Sequence, residues 1–276
     1  MSASSSEKIK RFAVIGQPIS HSKSPRIHRQ FAQLSGVTLS YEAIEAPVDG
    51  FNETIDRLRG AGWGGCNVTM PFKEQAWQMA DERSVFAERA GAVNTLVFRD
   101  DGSIYGDTTD GSGLVRDLTH NLQFELKDKR ILLLGAGGAV RGVLEPLLAE
   151  QPASLFVANR TASKAIALAE DFTDAGVIRG GGFDDIEGQF DLIINGTATG
   201  LKGGMLLLPD DCLVEGGGCY DLTYSDADTA FMSWGREHNA GQVSDGLGML
   251  VEQAADAFHI WHAVRPETAT VLADLR

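Results

Sequence analysis

Cysteine is scarce in this 276-residue chain: three residues, Cys66, Cys212 and Cys219, odd in number and widely spaced. They form no disulfide framework and lack metal-ligand spacing. Reduced, structural thiols are expected. Long hydrophobic runs are missing too, with nothing near the roughly 18 apolar residues of a membrane span. The opening Met1-Ser2-Ala3-Ser4-Ser5-Ser6 is polar and lacks the apolar core of a signal peptide. Positive charge is in short supply, 24 Lys and Arg against 38 Asp and Glu, a formal net charge of −14. No run of Lys or Arg stands out, so nonspecific nucleic-acid binding is disfavoured. An anionic ligand stays open, because a local site can be positive on an acidic protein. There is no fixed-period repeat, and no low-complexity tract beyond the N-terminal serines. The cytoplasm is the expected compartment.

What is present reads as a globular α/β protein. Hydrophobic residues make up 43% and charged residues 22%, ordinary proportions. Such a chain buries about 70–75% of its unfolded surface and suits one large domain or two modest ones. Phe12 to Gly16 is an apolar strand ending in glycine. Ser24-Pro25 then opens a helix, serine as N-cap and proline at the first helical position. Ile27, Phe31 and Leu34 mark its apolar face, and Gly36 stops it. A strand near Tyr41 to Ala46, a helix from about Asp49 to Arg59 and a strand from Cys66 to Met70 follow. This alternation argues for a parallel sheet covered by helices. Next come a helix over Val85 to Ala90 and a strand from Ala92 to Arg99. A turn at Asp100-Asp101-Gly102 leads to a partner strand, Ile104 to Gly106. Asp107 to Gly111 is polar and runs into a helix from about Ser112 to Asn121, which Asp110 can cap.

After Lys127-Asp128-Lys129 the rhythm restarts with Arg130 to Leu134, a glycine-rich turn and a helix to about Glu150. Ser154 to Ala158 is a strand, and the next helix carries Ala165, Leu168, Ala169 and Phe172. Phe190 to Asn195 and Cys219 to Leu222 are further buried strands, completing a Rossmann-like unit. Leu247, Leu250, Val251, Ala254, Ala255, Phe258 and Trp261 recur at helical spacing as a core stripe. Pro266 is expected to begin a short terminal helix.

The chemistry gathers around Asn67-Val68-Thr69-Met70-Pro71-Phe72-Lys73. This reads as strand, turn and helix, with Pro71 at the first helical position. Lys73 then stands at a strand's carboxyl end, where open α/β sheets place ligands. A lone lysine there is most often a solvated helix residue. Ser22-Lys23-Ser24, Asn94 and Asp110, each at a similar junction, favour a site.

Gly135-Ala136-Gly137-Gly138-Ala139 follows an apolar strand and precedes a helix, the context a dinucleotide fingerprint needs. Gly135 permits the turn, Gly137 lets backbone approach a pyrophosphate, and helix N–H groups at Gly138 and Ala139 can face phosphates. Val140 holds the place of the usual third glycine. At the next strand's end an NAD site wants an acid. This chain offers Asn159-Arg160-Thr161 and Lys164 instead. Cations without a carboxylate suit a 2′-phosphate, so NADP is the expected cofactor.

These motifs together resemble the shikimate dehydrogenase family. The matching segments are Gly16 to Pro25, Asn67 to Lys73, Gly91-Ala92-Val93-Asn94-Thr95, Gly106-Asp107-Thr108-Thr109-Asp110-Gly111, Gly135 to Ala139, Asn159-Arg160-Thr161 and Asp245 to Leu250. They run in family order across nearly the whole chain. The resemblance implies reversible, NADP-dependent reduction of 3-dehydroshikimate to shikimate in aromatic amino-acid synthesis. It implies an N-terminal α/β substrate domain, residues 1–109 completed by helices of 246–276, and a Rossmann-like NADP domain, 110–245, with the reaction in the cleft between. It casts Lys73 as the catalytic lysine beside Asp110. Ser22 and Ser24 become hydroxyls for the substrate carboxylate, and Thr69, Asn94, Asp110 and Gln253 ligands for ring hydroxyls. Tyr224 matches a tyrosine near the substrate; Leu222 and Gly246 align near the nicotinamide. Gly135 to Ala139 match the phosphate loop, and Asn159, Arg160, Thr161 and Lys164 the adenosine-phosphate loop. His21 is an alternative acid, more readily read as structural. No metal ligand set is evident, and a homodimer is compatible with the sequence.

The chain departs from the family pattern at Thr108, usually asparagine, at Val140, and at Ala198 and Thr199 in Asn195 to Gly200. Ser225-Asp226-Ala227-Asp228 replaces a common Asn-Pro turn. These bear on cofactor affinity and closure more than on chemistry. Two other readings stay open, a broader quinate/shikimate dehydrogenase and a non-catalytic sensing paralogue. Reversing Arg160 to an acid is expected to raise the KM for NADP far more than that for NAD. Equal effects in steady-state assays with the two cofactors would remove the argument.

Overall fold

Phe12, Ala13, Val14 and Ile15 form an unbroken apolar run because their strand is covered on both faces; all four are buried. In the computed structural model, which describes residues 9–197 and 208–276, this strand is β1, Lys10–Gly16. The N-terminal serines, and Ala198, Thr199 and Gly200, lie outside the described residues. The chain packs as two compact units, one of residues up to Thr109 with Ala254–Arg276, the other Asp110–Gln253.

The first unit continues through α1 (Ser24–Ser35), β2 (Leu39–Glu45), α2 (Phe51–Gly60), β3 (Gly65–Val68), α3 (Lys73–Met79), β4 (Glu82–Arg83), α4 (Val85–Ala90), β5 (Thr95–Phe98) and β6 (Ile104–Asp107). The sheet order is β2-β1-β3-β5-β6-β4. The expected parallel pairing holds for β1 with β2 and β3. It gives way to antiparallel pairing of β5 with β3 and β6, because the turn at Asp100 to Gly102 makes a hairpin instead of a crossover.

Several boundaries shift for local reasons. Ser24 is not the N-cap of α1: Lys23 is, with no side-chain capping hydrogen bond. Leu34 is exposed, and the buried face of α1 is Ser24, Ile27, His28, Phe31 and Ala32. Pro71 stands in the turn before α3, after a cis peptide bond, and Phe72 is the cap. Asn94 precedes β5, because its side chain bonds to neighbouring segments. The terminal helix α10 is Ala269–Leu275 rather than a helix from Pro266, since Glu267 accepts from the N–H groups of Ala269 and Thr270.

The second unit opens with α5 (Asp110–Arg116) and a π turn, Asp117–Asn121, two residues earlier than the expected helix. It continues through β7 (Arg130–Leu134), α6 (Gly138–Ala149), β8 (Ser154–Ala158), α7 (Ala162–Glu170), β9 (Ile178–Gly181), β10 (Phe190–Asn195), β11 (Leu213–Asp221), α8 (Ala230–Glu237), β12 (Gln242–Ser244) and α9 (Leu247–His262). Its sheet is wholly parallel, in the order β12-β11-β10-β7-β8-β9. Consecutive apolar residues such as Ile131 to Leu134 are buried on both faces, as a doubly covered sheet demands. The end of α9 belongs to the first unit. All three cysteines are buried free thiols. No helix among the described residues is long and apolar enough to cross a membrane.

His28 sits fully buried in the aromatic core of the first unit, stacked on Tyr41 with ring centroids 4.1 Å apart. Neither ring nitrogen closes a hydrogen bond. Burial pushes its pKa down to about 3, with the Asn67 amide opposing the shift and His262 adding to it. The folded state thus holds a neutral imidazole that the unfolded chain protonates below its ordinary 6.5. Stability from this group is full above pH 6.5 and falls with pH until about pH 3, at about 1.4 kcal/mol per pH unit. His28→Phe is expected to flatten the pH dependence of the unfolding free energy, read by urea denaturation between pH 6 and pH 4, by about that slope. Parallel pH dependences in variant and parent would show that His28 is not the acid-labile group.

Candidate functional site

In the first unit the predicted residues stand at the carboxyl ends of β1 and β3 and just before β5. After β1 the chain turns so that the Ser22 Oγ accepts from the Ser24 N–H at 3.3 Å. Ser22 is half-buried and Ser24 buried, while His21 is exposed. After β3 the Thr69 N–H donates to the Ile15 carbonyl, 2.9 Å, and the Thr69 carbonyl accepts from the Phe72 N–H, 3.0 Å. That turn delivers Lys73, half-buried, as the first residue of α3.

Two backbone bonds lace this turn to the Asn94 segment. The Val68 N–H donates to the Asn94 carbonyl at 2.8 Å, and the Val93 N–H to the Lys73 carbonyl at 3.0 Å. Thr69, Lys73 and Asn94 are therefore brought together. Asn94 is buried, and its Oδ1 accepts from the Thr109 N–H at 3.0 Å and the Thr95 hydroxyl at 2.8 Å. Its Nδ2 donates to the Thr109 Oγ1 at 3.0 Å. Asn67 supports it: Nδ2 donates to the Asn94 carbonyl and the Thr95 Oγ1, and Oδ1 accepts from the Tyr41 hydroxyl at 2.7 Å. Burial lifts the Tyr41 phenol well above its ordinary range. Below, Asp107 accepts from the Ser84 hydroxyl and the Thr108 N–H, and burial raises its pKa. Thr108 is itself buried.

In the second unit Asp110 is the first residue of α5 and is buried. Gln253 is half-buried on α9, its Nε2 donating to the Leu250 carbonyl at 2.9 Å. Gly135 takes a left-handed φ of +107°, and its N–H reaches the Ala158 carbonyl at 2.7 Å. Gly137 and Gly138 are exposed, with nothing within 4 Å of where a Cβ would stand. The start of α6 thus presents open backbone, the surface a pyrophosphate needs. Val140 points the other way, fully buried against Gly135 and Gly196. It replaces a small residue on the core side of the loop, not the ligand side.

Asn159 folds its turn, its Nδ2 donating to the Thr161 carbonyl at 3.0 Å. Arg160, Thr161 and Lys164 are exposed, and the Lys164 N–H returns to the Thr161 carbonyl at 3.0 Å. Arg160 lies in that turn and Lys164 in the first turn of α7, a donor set that fits a phosphate. Leu222 and Gly246 meet: a Cβ on Gly246 would collide with the Leu222 carbonyl, and the Gly246 N–H donates to the Thr223 carbonyl at 3.1 Å. Tyr224 is half-buried, and burial raises its pKa. Asp221, buried, was not anticipated from sequence. It accepts from the Thr229 hydroxyl at 2.7 Å, the Asn195 Nδ2 at 3.3 Å and the Thr223 N–H at 3.0 Å, fixing the strand end that carries Leu222. A polar residue closing an apolar strand was its available signal.

Three domain families match the chain: "Shikimate dehydrogenase substrate binding domain" over residues 14–96, "Shikimate / quinate 5-dehydrogenase" over 117–201 and "Shikimate 5'-dehydrogenase C-terminal domain" over 246–276. Shikimate dehydrogenase (NADP(+)) of Hahella chejuensis is 56% identical over 265 residues, 96% of this chain and 98% of that one. The protein of the same name from Alkalilimnicola ehrlichii is 53% identical over 266 residues, again 96% and 98%. Shikimate 5-dehydrogenase from Thermus thermophilus, solved with NADP(H) and shikimate, superposes with a TM-score of 0.86 at 33% identity, covering 96% of this chain and 98% of that one.

A Cβ on Gly196 would collide with Val140, and would lie 3.2 Å from the Leu134 carbonyl and Leu222 Cδ1. Gly196→Ala is therefore expected to cost about 1–3 kcal/mol by overpacking, read as a lower denaturant midpoint. Val140→Ala in the same chain is expected to recover most of the loss. Additive losses would show that Val140 does not set this constraint.

Proposed function

The chain belongs to the shikimate dehydrogenase family, and we propose that it moves the substrate's proton through Lys73, with Asp110 as its charged partner. The reaction is the reversible, NADPH-dependent reduction of 3-dehydroshikimate to shikimate, a step towards the aromatic amino acids. Bound NADPH supplies a hydride to the ketone carbon. As the carbonyl oxygen gains negative charge, the Lys73 ammonium hydrogen-bonds to it and gives up a proton from Nζ. In the reverse direction the same amine takes that proton back. The Asp110 carboxylate orients the amine. Ser22 and Ser24 donate hydroxyl hydrogens to the substrate carboxylate. Thr69, Asn94, Asp110 and Gln253 read the ring hydroxyls, and Tyr224 lies near the substrate. Gly135 to Ala139 take the pyrophosphate, Asn159, Arg160, Thr161 and Lys164 the adenosine 2′-phosphate, and Leu222 and Gly246 the nicotinamide side.

The observation that supports this best is the pair of backbone bonds between the Lys73 turn and the Asn94 segment. They give a proton donor and a hydroxyl ligand one rigid base, which general-acid catalysis requires. Three unpaired thiols suit the cytoplasm as the working compartment.

Lys73→Ala is expected to lower kcat by about 10²–10⁴, the range of a lost general acid. Near-parental turnover would assign the proton to another group. Absorbance of reduced nicotinamide, with shikimate or quinate and NADP or NAD, tests the substrate. Strong signal with shikimate and NADP alone is the expected result, and comparable quinate turnover would widen the substrate class.

A further inference from the structure

Asp117, Tyr220 and Glu252 are almost completely buried in the second unit, and none of them belongs to the ligand set proposed above. The Tyr220 hydroxyl donates to Asp117 Oδ2 at 2.7 Å and accepts from the Met249 N–H at 3.2 Å. Asn121, at the rim, donates its Nδ2 to Asp117 Oδ1 at 2.8 Å and to Glu252 Oε1 at 3.1 Å. The Arg116 Nε closes the group on Glu252 Oε2 at 3.2 Å. Gly248 packs on Asp117 so closely that a Cβ there would collide with the carboxylate. Three separate elements, the π turn, β11 and α9, are pinned by one polar cluster.

What the cluster pins is specific. Gly113, three residues after Asp110, packs on Gln253, whose backbone nitrogen would lie 2.7 Å from a Gly113 Cβ. Glu252 is the neighbour of Gln253, and Asp117 lies two turns along from Asp110. We propose that Asp117, Tyr220, Glu252 and Asn121 are positioning residues that hold Asp110 and Gln253 in fixed register, and so set recognition of the substrate's ring hydroxyls. This rests on the substrate role proposed for those two residues. A buried carboxylate held on both oxygens resists displacement, because any shift strands a charge. An ångström of drift at the ligands is enough to cost substrate binding and turnover.

Tyr220→Phe and Glu252→Gln each remove one hydroxyl or one charge with little change of volume, so folding is retained. Each is expected to raise the KM for shikimate by about 10-fold, while the KM for NADP stays within about twofold. Tyr220→Phe combined with Gln253→Ala is expected to be less than additive, since the tyrosine acts through the glutamine. A lowered melting temperature with an unchanged shikimate KM, or additive effects, would overturn the proposal. Asp110→Asn and Gln253→Ala, assayed alongside, separate the two readings. If they leave shikimate kinetics unchanged, their substrate role fails; if they impair it while Tyr220→Phe and Glu252→Gln do not, the positioning role alone fails.

Discussion

Asn67 spends both amide hydrogens on its neighbours, one on the Asn94 carbonyl and one on the Thr95 hydroxyl, and its oxygen takes the Tyr41 proton. The first unit's site depends on this exchange. Strand ends in an α/β sheet are buried places where backbone pairing stops, so each polar group there needs a partner. Asn67 supplies partners to two segments at once. Through Thr95 and Thr109 the same demand fixes the Asn94 amide, whose oxygen accepts three hydrogen bonds. A side chain so engaged cannot rotate without orphaning buried donors, at about 1–3 kcal/mol each. The residues proposed to meet the substrate inherit that rigidity.

The second unit reaches the same end by close approach. Gly135, Gly196 and Val140 interlock, and Leu222 lies against Gly246. Backbone there comes nearer than any side chain would allow, which leaves the phosphate-facing side of the loop open. Val140, a departure from the family pattern that bears on cofactor affinity and closure, packs on the core side of the loop.

The apolar strands, the glycine turns and the long final helix were legible because burial imposes period and punctuation on the chain. β9 was not: Ile178-Arg179-Gly180-Gly181 offers a single large apolar residue, and Gly180 accommodates the Ala165 carbonyl. β12 and α8 escaped for a similar reason, being short and mixed in character. Leu34 misled because helical spacing says which residues share a face, not where that face stops being covered. The residues proposed as ligands were named through family motifs, whereas the side chains packed around them were not. Tyr220 meets Asp117 across 103 residues of sequence, and Asn121 meets Glu252 across 131. No local pattern carries such a pairing. A buried Asp or Glu looks, in sequence, like any surface acid.

A chain of net charge −14 that handles an anionic substrate and an anionic cofactor must concentrate its positive potential where it is used. In the proposed reading each anion meets a different donor chemistry. The 2′-phosphate falls to Arg160 and Lys164, which are exposed and have no ion-pair partner among the described residues. The pyrophosphate falls to open helix N–H groups, whose partial charge is independent of any titration. The substrate carboxylate falls to two serine hydroxyls. That last choice is the one the chemistry constrains most. A guanidinium in place of either serine would bind the carboxylate more strongly, but would add a fixed like charge on the substrate that Lys73 must protonate. Like charge favours the neutral amine, and a neutral amine has no proton to give. Neutral hydroxyl donors hold the carboxylate in the proposed reading without adding such a charge.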